Sequence, residues 1–140
     1  MRPVLDSSAT SAWIYGDETT EAVQHLFDTV ADEGALVPAL WRLEIANSLT
    51  VVRRGRIDAE FRNAALGDLT LLDIMIDPHT DAQAWTATLG LADRFRLTLY
   101  DAAYLELAQR LSLPLASLDD DLRSALPRIS LLGVAGRGGD

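Results

Sequence analysis

Arg2-Pro3-Val4-Leu5-Asp6-Ser7-Ser8-Ala9 is the stretch from which the rest of this 140-residue chain is read. A very short apolar run meets an aspartate and two serines with no turn residue between them. The apolar run predicts a buried strand, and Asp-Ser-Ser predicts a helix start. Strand passing directly into helix is the opening of an α/β unit, and the alternation continues. A short helix over Ala9 to Tyr15 stops near Gly16-Asp17. Thr19 or Thr20 caps a helix reaching about Glu33, with Val23, Leu26, Phe27 and Val30 at helical spacing. Gly34 ends it, and a strand over Ala35 to Val37 is closed by Pro38.

Leu40 to Arg54 predicts a helix with a core stripe of Trp41, Ile45, Leu49 and Val52. The group Arg53, Arg54, Gly55, Arg56 has the composition of a helix C-terminus. Asp58 starts a helix to about Leu71, and Leu72 to Ile76 is a strand candidate broken by Asp77-Pro78. Further helices are expected over Thr80 to about Phe95, Asp101 to Leu111 and Asp120 to Leu126. Pro114 to Ser117 and Arg128 to Leu132 are the last strands. Short strands alternating with helices predict a mostly parallel sheet with helices on both faces. Residues 1–132 form one domain, and 133–140, Gly-rich at the end, a loose tail.

Composition removes several function classes. The chain has no cysteine, hence no disulfide framework, thiolate zinc site or cysteine nucleophile. Its two histidines, His25 and His79, lack paired ligand spacing, which argues against zinc. No apolar run approaches the roughly 20 residues that cross a bilayer. Nothing in the first residues reads as a signal peptide, so the expected setting is the cytoplasm, without membrane contact. The net charge of −9 argues against coating nucleic acid with a basic face. All twelve basic residues are arginine.

The chemistry is expected from carboxylates. In an open α/β sheet, ligands bind at the carboxyl ends of the strands. Asp6 ends the first strand, Asp119 follows the strand at Pro114 to Ser117, and Asp101 stands at a helix start. Aspartate at a helix start is ordinarily a cap, so none of these is decisive alone. Glu44 differs, because it is expected inside a helix and beyond its first turn. Asn47 and Ser48, three and four residues on, share its side, so a narrow stripe of small polar groups flanks the apolar stripe. A plain boundary position for Glu44 remains the alternative. Clustered carboxylates repel one another, and a hard divalent cation such as Mg2+ or Mn2+ relieves that repulsion. Such a site suits phosphodiester hydrolysis.

Four segments carry a resemblance that spans nearly the whole chain. They are Val4-Leu5-Asp6-Ser7-Ser8-Ala9, Glu44-Ile45-Ala46-Asn47-Ser48-Leu49, Leu99-Tyr100-Asp101-Ala102-Ala103-Tyr104-Leu105 and Pro114-Leu115-Ala116-Ser117-Leu118-Asp119-Asp120-Asp121-Leu122. In this order and at these separations the chain resembles PIN-domain ribonucleases, specifically the VapC-type toxins of bacterial type II toxin–antitoxin pairs. The resemblance implies a three-layer α/β/α sandwich around a mostly parallel sheet of four or five strands. It implies Asp6, Glu44, Asp101 and Asp119 as catalytic residues. Asp6 and Asp101 would be direct ligands of Mg2+ or Mn2+, and Glu44 and Asp119 ligands directly or through water. Ser117 would orient the carboxylates, and Ser8, Asn47 and Asp121 would support them. Which of Asp119, Asp120 and Asp121 faces the site stays open, with Asp119 favoured. The implied partners are RNA, a VapB-type antitoxin and a second copy in a homodimer. The Arg53, Arg54, Arg56 group is a candidate for phosphate contact.

Two other Mg2+ folds fit less well. A phosphoreceiver domain needs a lysine beside its acidic pocket, and the chain has none. A haloacid-dehalogenase-type phosphatase needs an aspartate two residues after Asp6, where Ser8 stands. A catalytically inactive PIN-fold module that binds RNA or protein is the remaining alternative, since one fold can carry a dead site.

Overall fold

Val4 and Leu5 form β1 and are fully buried. In the computed structural model, which describes residues 2–16, 20–50 and 58–125, β1 is flanked on both sides. β2 (Ala35–Val37) pairs with it through Val4 and Leu36, and β4 (Leu115–Ala116) through Val4–Leu115 and Leu5–Ala116. β3 (Ile74–Ile76) pairs with β2. The order is β3-β2-β1-β4 and every pairing is parallel. All four strands therefore end at one edge, where Asp6, Pro38, Asp77 and Ser117 follow them. The strands are shorter than their apolar runs: Arg2 and Pro3, Leu72 and Asp73, and Pro114 and Ser117 lie outside the ladders. The expected strand Arg128 to Leu132 and the tail 133–140 lie outside the described residues.

Helices flank the sheet in the order α1 (Ser7–Ile14), α2 (Glu21–Glu33), α3 (Trp41–Ser48), α4 (Ala59–Thr70), α5 (Thr80–Gln83), α6 (Leu89–Phe95), α7 (Leu99–Leu111) and α8 (Asp120–Ser124). A π-helical turn, Ala84–Thr88, joins α5 to α6, so the expected single helix over Thr80 to Phe95 has one widened turn. Side-chain oxygens satisfy the free N–H groups at several starts. Asp6 caps α1, Thr20 α2, Asp58 α4, Thr98 α7 and Asp119 α8. Gly34 closes α2 at φ 80°, and a Cβ there would stand 2.6 Å from the Asp73 carbonyl oxygen. Only glycine fits that turn.

Three sequence expectations are corrected. α7 begins at Leu99, because Thr98 and not Asp101 is its cap; the Asp101 N–H donates to Thr98 Oγ1 at 3.1 Å. α3 begins at Trp41, which puts Glu44 in its first turn. α3 also stops at Ser48, and residues 51–57, with Val52, Arg53, Arg54 and Arg56, lie outside the described residues.

The core gathers β1, β2 and β4 with the inner faces of α1, α2, α3 and α7. Residues 102–108 of α7 are all buried, a helix packed almost all round. Trp13 and Phe27 stack at 4.5 Å between α1 and α2. Trp41 is buried, its indole N–H donating to Thr10 Oγ1 at 3.3 Å, and is a core residue.

Two buried acids outside the expected site need a structural explanation. Asp77 and Glu106 are 3% and 4% exposed. Arg110 joins them, Nη2 donating to Asp77 Oδ2 at 2.6 Å and Nε to Glu106 Oε2 at 2.7 Å. Burial pushes the Asp77 carboxyl up, but the Arg110 hydrogen bonds, the His79 N–H and the Thr80 hydroxyl together hold it below the usual carboxylate range. This triad pins the β3 edge to the far end of α7. Removing one partner of such a group strands the others as unpaired charges, which costs on the order of 3 kcal/mol or more. Arg110→Met is therefore expected to lower stability by that order at pH 7 in urea melts. A group with a lowered native pKa contributes fully above its unfolded value and loses that contribution as pH falls through the native one. The deficit of the variant should hence shrink below pH 3.8, the ordinary Asp77 value. Equal stability of parent and variant at pH 7 would contradict this role.

Candidate active site

Asp6 leaves β1 as the cap of α1, so one residue joins strand end to helix start. Its Oδ1 accepts from the Ala9 N–H at 3.0 Å, and it is 3% exposed. Two serines hold the rest of the carboxylate. Ser8 Oγ donates to Oδ1 at 2.8 Å and Oδ2 at 3.0 Å, while accepting from the Leu118 N–H at 2.9 Å. Ser117 Oγ donates to Oδ2 and accepts from the Asp119 N–H at 3.0 Å. Both hydroxyls thus tie Asp6 to the loop after β4 and fix where that loop carries Asp119. Burial pushes the Asp6 carboxyl up to about 6, against these hydrogen bonds and with help from the Asp101 charge.

Asp101, in the first turn of α7, is the residue the other acids share. Burial raises its carboxyl, the charges of Asp119 and Asp121 raise it further, and a hydrogen bond from the Thr98 side chain opposes them. Glu44 projects from α3 toward the same place. Burial raises its carboxyl, the Tyr104 hydroxyl and Ser7 hold it by hydrogen bonds, and the Asp101 charge adds to the rise. Asp6, Glu44, Asp119 and Asp121 therefore all act electrostatically with Asp101. Asp120, exposed at the start of α8, is not among the groups acting on it. Asn47 stands beside Glu44 on α3, exposed and near Ser48. Both histidine side chains are exposed.

Tyr104 was not among the expected site residues. It is 1% exposed, and its hydroxyl donates to Glu44 Oε1 across 60 residues of sequence. Burial and the Glu44 charge push this hydroxyl up, so it stays protonated and donates. Its signal was its place three residues after Asp101, on the same side of α7. Thr98 was hidden inside an apolar run and could have been found as a Thr three residues before an acid, the start of a capping box.

Among the described residues, no arginine pairs with Asp6, Glu44, Asp101, Asp119 or Asp121. Nor, among them, do three acidic or histidine side chains close into a ready-made metal cage. The donor chemistry nevertheless fits a hard divalent cation. Every group offered is a carboxylate or hydroxyl oxygen, and the carboxyls, raised by burial and then by one another's charge, are what a positive ion would relieve.

Comparison with known proteins agrees with this architecture. The family model for the PIN domain matches residues 4–125. Ribonuclease VapC3 of Pyrobaculum aerophilum is 28% identical over 130 residues, covering 92% of this chain and 98% of that protein. The crystal structure of PAE2754 from the same organism superposes with a TM-score of 0.68 at 23% identity, covering 94% of this chain and 91% of the other. That likeness is one of fold.

The elevated Asp6 carboxyl has a consequence for stability without added cation. A carboxyl with a raised native pKa binds more protons folded than unfolded between the two values, so stability falls as pH rises through that window. For Asp6 the window runs from 3.8 to about 6. At roughly 1.4 kcal/mol per unit, the cost of ionising it reaches about 3 kcal/mol above the window. Asp6→Asn keeps the capping oxygen and should be more stable than the parent at pH 8 in EDTA, with the difference gone at pH 4. Urea melts at both pH values check this, and a variant that is less stable at pH 8 would contradict it.

Proposed function

The chain belongs to the PIN domain family, and we propose that it is a metal-dependent endoribonuclease acting as the toxin of a toxin–antitoxin pair in the cytoplasm. The observation that carries the reading is the convergence of Glu44, Asp6, Asp119 and Asp121 on Asp101 at the carboxyl edge of a parallel sheet, with no arginine among the described residues paired to them. The relative named ribonuclease VapC3 supports the substrate class.

In this reading Asp6 and Asp101 would hold Mg2+ or Mn2+ directly, and Glu44 and Asp119 would complete the set directly or through water. The cation, when bound, lowers the pKa of water and offsets charge on the phosphate. The remaining work falls to the chain's own residues. Ser8 and Ser117 donate to both Asp6 oxygens and, with the Ala9 N–H on Oδ1, restrict the lone pairs that the carboxylate has left to offer. Tyr104 holds Glu44 in the same way. Asp121 adds negative charge at the rim, and Asn47 supplies a neutral polar group. Among the described residues none of these acids is paired with a cationic side chain, which leaves their charge to a cation. The sequence unit 1–132 is taken as the nuclease domain and 133–140 as its tail. A homodimer and a VapB-type antitoxin are the proposed protein partners. No helix among the described residues is long and apolar enough to cross a membrane.

Two outcomes are expected. Single-stranded RNA should be cut in Mg2+ or Mn2+ to give 5′-phosphate and 3′-hydroxyl ends, since water rather than the ribose 2′-hydroxyl attacks. Asp101→Asn should lower the rate by at least about a hundredfold, the scale on which loss of one charge-stabilising group is felt. Cyclic phosphate ends, or full activity in excess EDTA, would rule out the mechanism, and no cleavage at all would favour the inactive module. Second, the antitoxin should bind through a basic side chain entering the acidic cluster. Its affinity should then fall steeply between low and physiological salt in titration calorimetry. Salt-independent binding would contradict that mode.

A further inference from the structure

α1 packs against α3 beside the carboxylates, and the seam between them is not filled. It opens as a notch of about 260 Å3 lined by Ser7, Ser8, Ser11, Glu44, Asn47 and Ser48. The pattern has a simple origin. Ser7 and Ser11 are four apart on α1, while Asn47 and Ser48 follow Glu44 by three and four on α3, so two faces of small polar residues confront each other. Side chains this small cannot fill the groove between two packed helices.

The groups in the notch are not equally engaged. Ser8 is committed to Asp6 and to the Leu118 N–H. Ser7 faces Glu44, whose carboxyl it helps to hold down. Ser48 Oγ donates to the Ile45 carbonyl at 2.7 Å. Among the described residues, the Ser11 hydroxyl and the Asn47 side-chain amide make no hydrogen bond. Among the described residues the notch therefore offers an amide, a hydroxyl and no cation, with Glu44 forming its wall toward the acidic cluster.

We propose that this notch receives one unpaired RNA base next to the cleaved phosphate and that Asn47 and Ser11 read its edge. The proposal rests on the ribonuclease reading of the acidic cluster. A phosphate is a poor occupant, since Glu44 would repel it and, among the described residues, no arginine lines the wall. A neutral base is a good one. The carboxamide presents a donor and an acceptor side by side, the pattern that pairs with a base edge offering the complement. The space is smaller than the roughly 300–1,000 Å3 that encloses drug-sized ligands, which suits one flat ring rather than a longer segment. Sequence-specific RNA recognition mostly targets such splayed, unstacked bases. Because the notch shares Glu44 with the cluster, a base held there fixes the register of the adjoining phosphate.

The test is cleavage of a randomised single-stranded RNA pool in Mg2+, with sequencing of the product ends. Parent, Asn47→Ala and Ser11→Leu are compared, each also melted with and without Mg2+. The parent is expected to prefer one base by roughly fivefold or more at one position beside the cut, the discrimination a paired edge provides. Asn47→Ala should reduce that preference to less than about twofold at this position only. Ser11→Leu, which fills the notch, should raise KM while leaving kcat within about threefold. Both variants should keep the parent's Mg2+-induced melting shift. The proposal is overturned if the parent cuts RNA with no base preference beside the bond, or if the preference survives Asn47→Ala. It is also overturned if the preference and the Mg2+ shift disappear together, for Asn47 then acts through the cation. A parent that cuts no RNA overturns the ribonuclease reading, and the proposal with it.

Discussion

A buried carboxylate that must remain available at the end of a strand is the constraint on which this structure turns. Asp6 is enclosed by β1, α1 and the loop after β4, and burial alone would drive it to the neutral acid. Three donors, the Ala9 N–H and the hydroxyls of Ser8 and Ser117, oppose that without supplying positive charge. The same hydroxyls accept the Leu118 and Asp119 N–H groups, so satisfying Asp6 also positions the next acid. Chain geometry follows from this: β4 must lie beside β1, and the turn into α8 must pass over the start of α1.

The two acidic groups of the protein show opposite solutions to one problem. Asp77 and Glu106 are nearly as buried as Asp6, yet Arg110 binds both, and Asp77 is held low. That triad is complete within the chain. Asp6, Glu44 and Asp101 are all raised, and among the described residues only neutral groups donate hydrogen bonds to them. Incomplete compensation of this kind marks a functional site more often than a structural one. The helices follow the division. α7 carries Asp101 and Tyr104 at its start and Arg110 near its end, with a buried run between them that includes Glu106 of the triad. About 14 Å of helix, at 1.5 Å per residue, therefore separates the open site from the closed triad.

Much of the fold was legible because the strands are short, apolar and bounded by polar punctuation. Thr20, Asp58 and Gly34 each stop or start a helix where local chemistry says they should. The parallel sheet followed from the alternation. What was misread had nonlocal or ambiguous causes. Leu97 to Tyr100 is apolar enough to hide the Thr98 cap, which moved the start of α7 away from Asp101. Spacing makes Glu106 and Arg110 an i, i+4 pair, but nothing local announces Asp77, 33 residues away, as their third member. Likewise the reach of Tyr104 to Glu44 depends on how α7 crosses α3, which no local pattern in the sequence gives. The polar stripe of Glu44, Asn47 and Ser48 was visible in sequence, whereas the facing serines of α1 that turn it into a notch were not.

Direct binding of Mn2+ tests the central claim, that the converging carboxylates form a cation site. The electron paramagnetic resonance signal of free aqueous Mn2+ is lost when the ion is immobilised on protein. The account predicts uptake by the parent chain, weakened by at least about tenfold in both Asp6→Asn and Asp101→Asn, since metal sites lose affinity on that scale when their shell is altered. Arg110→Met, which disturbs only the closed triad, should bind as the parent does. A parent that leaves the free signal unchanged, or variants of Asp6 and Asp101 that bind as tightly as the parent, would contradict it.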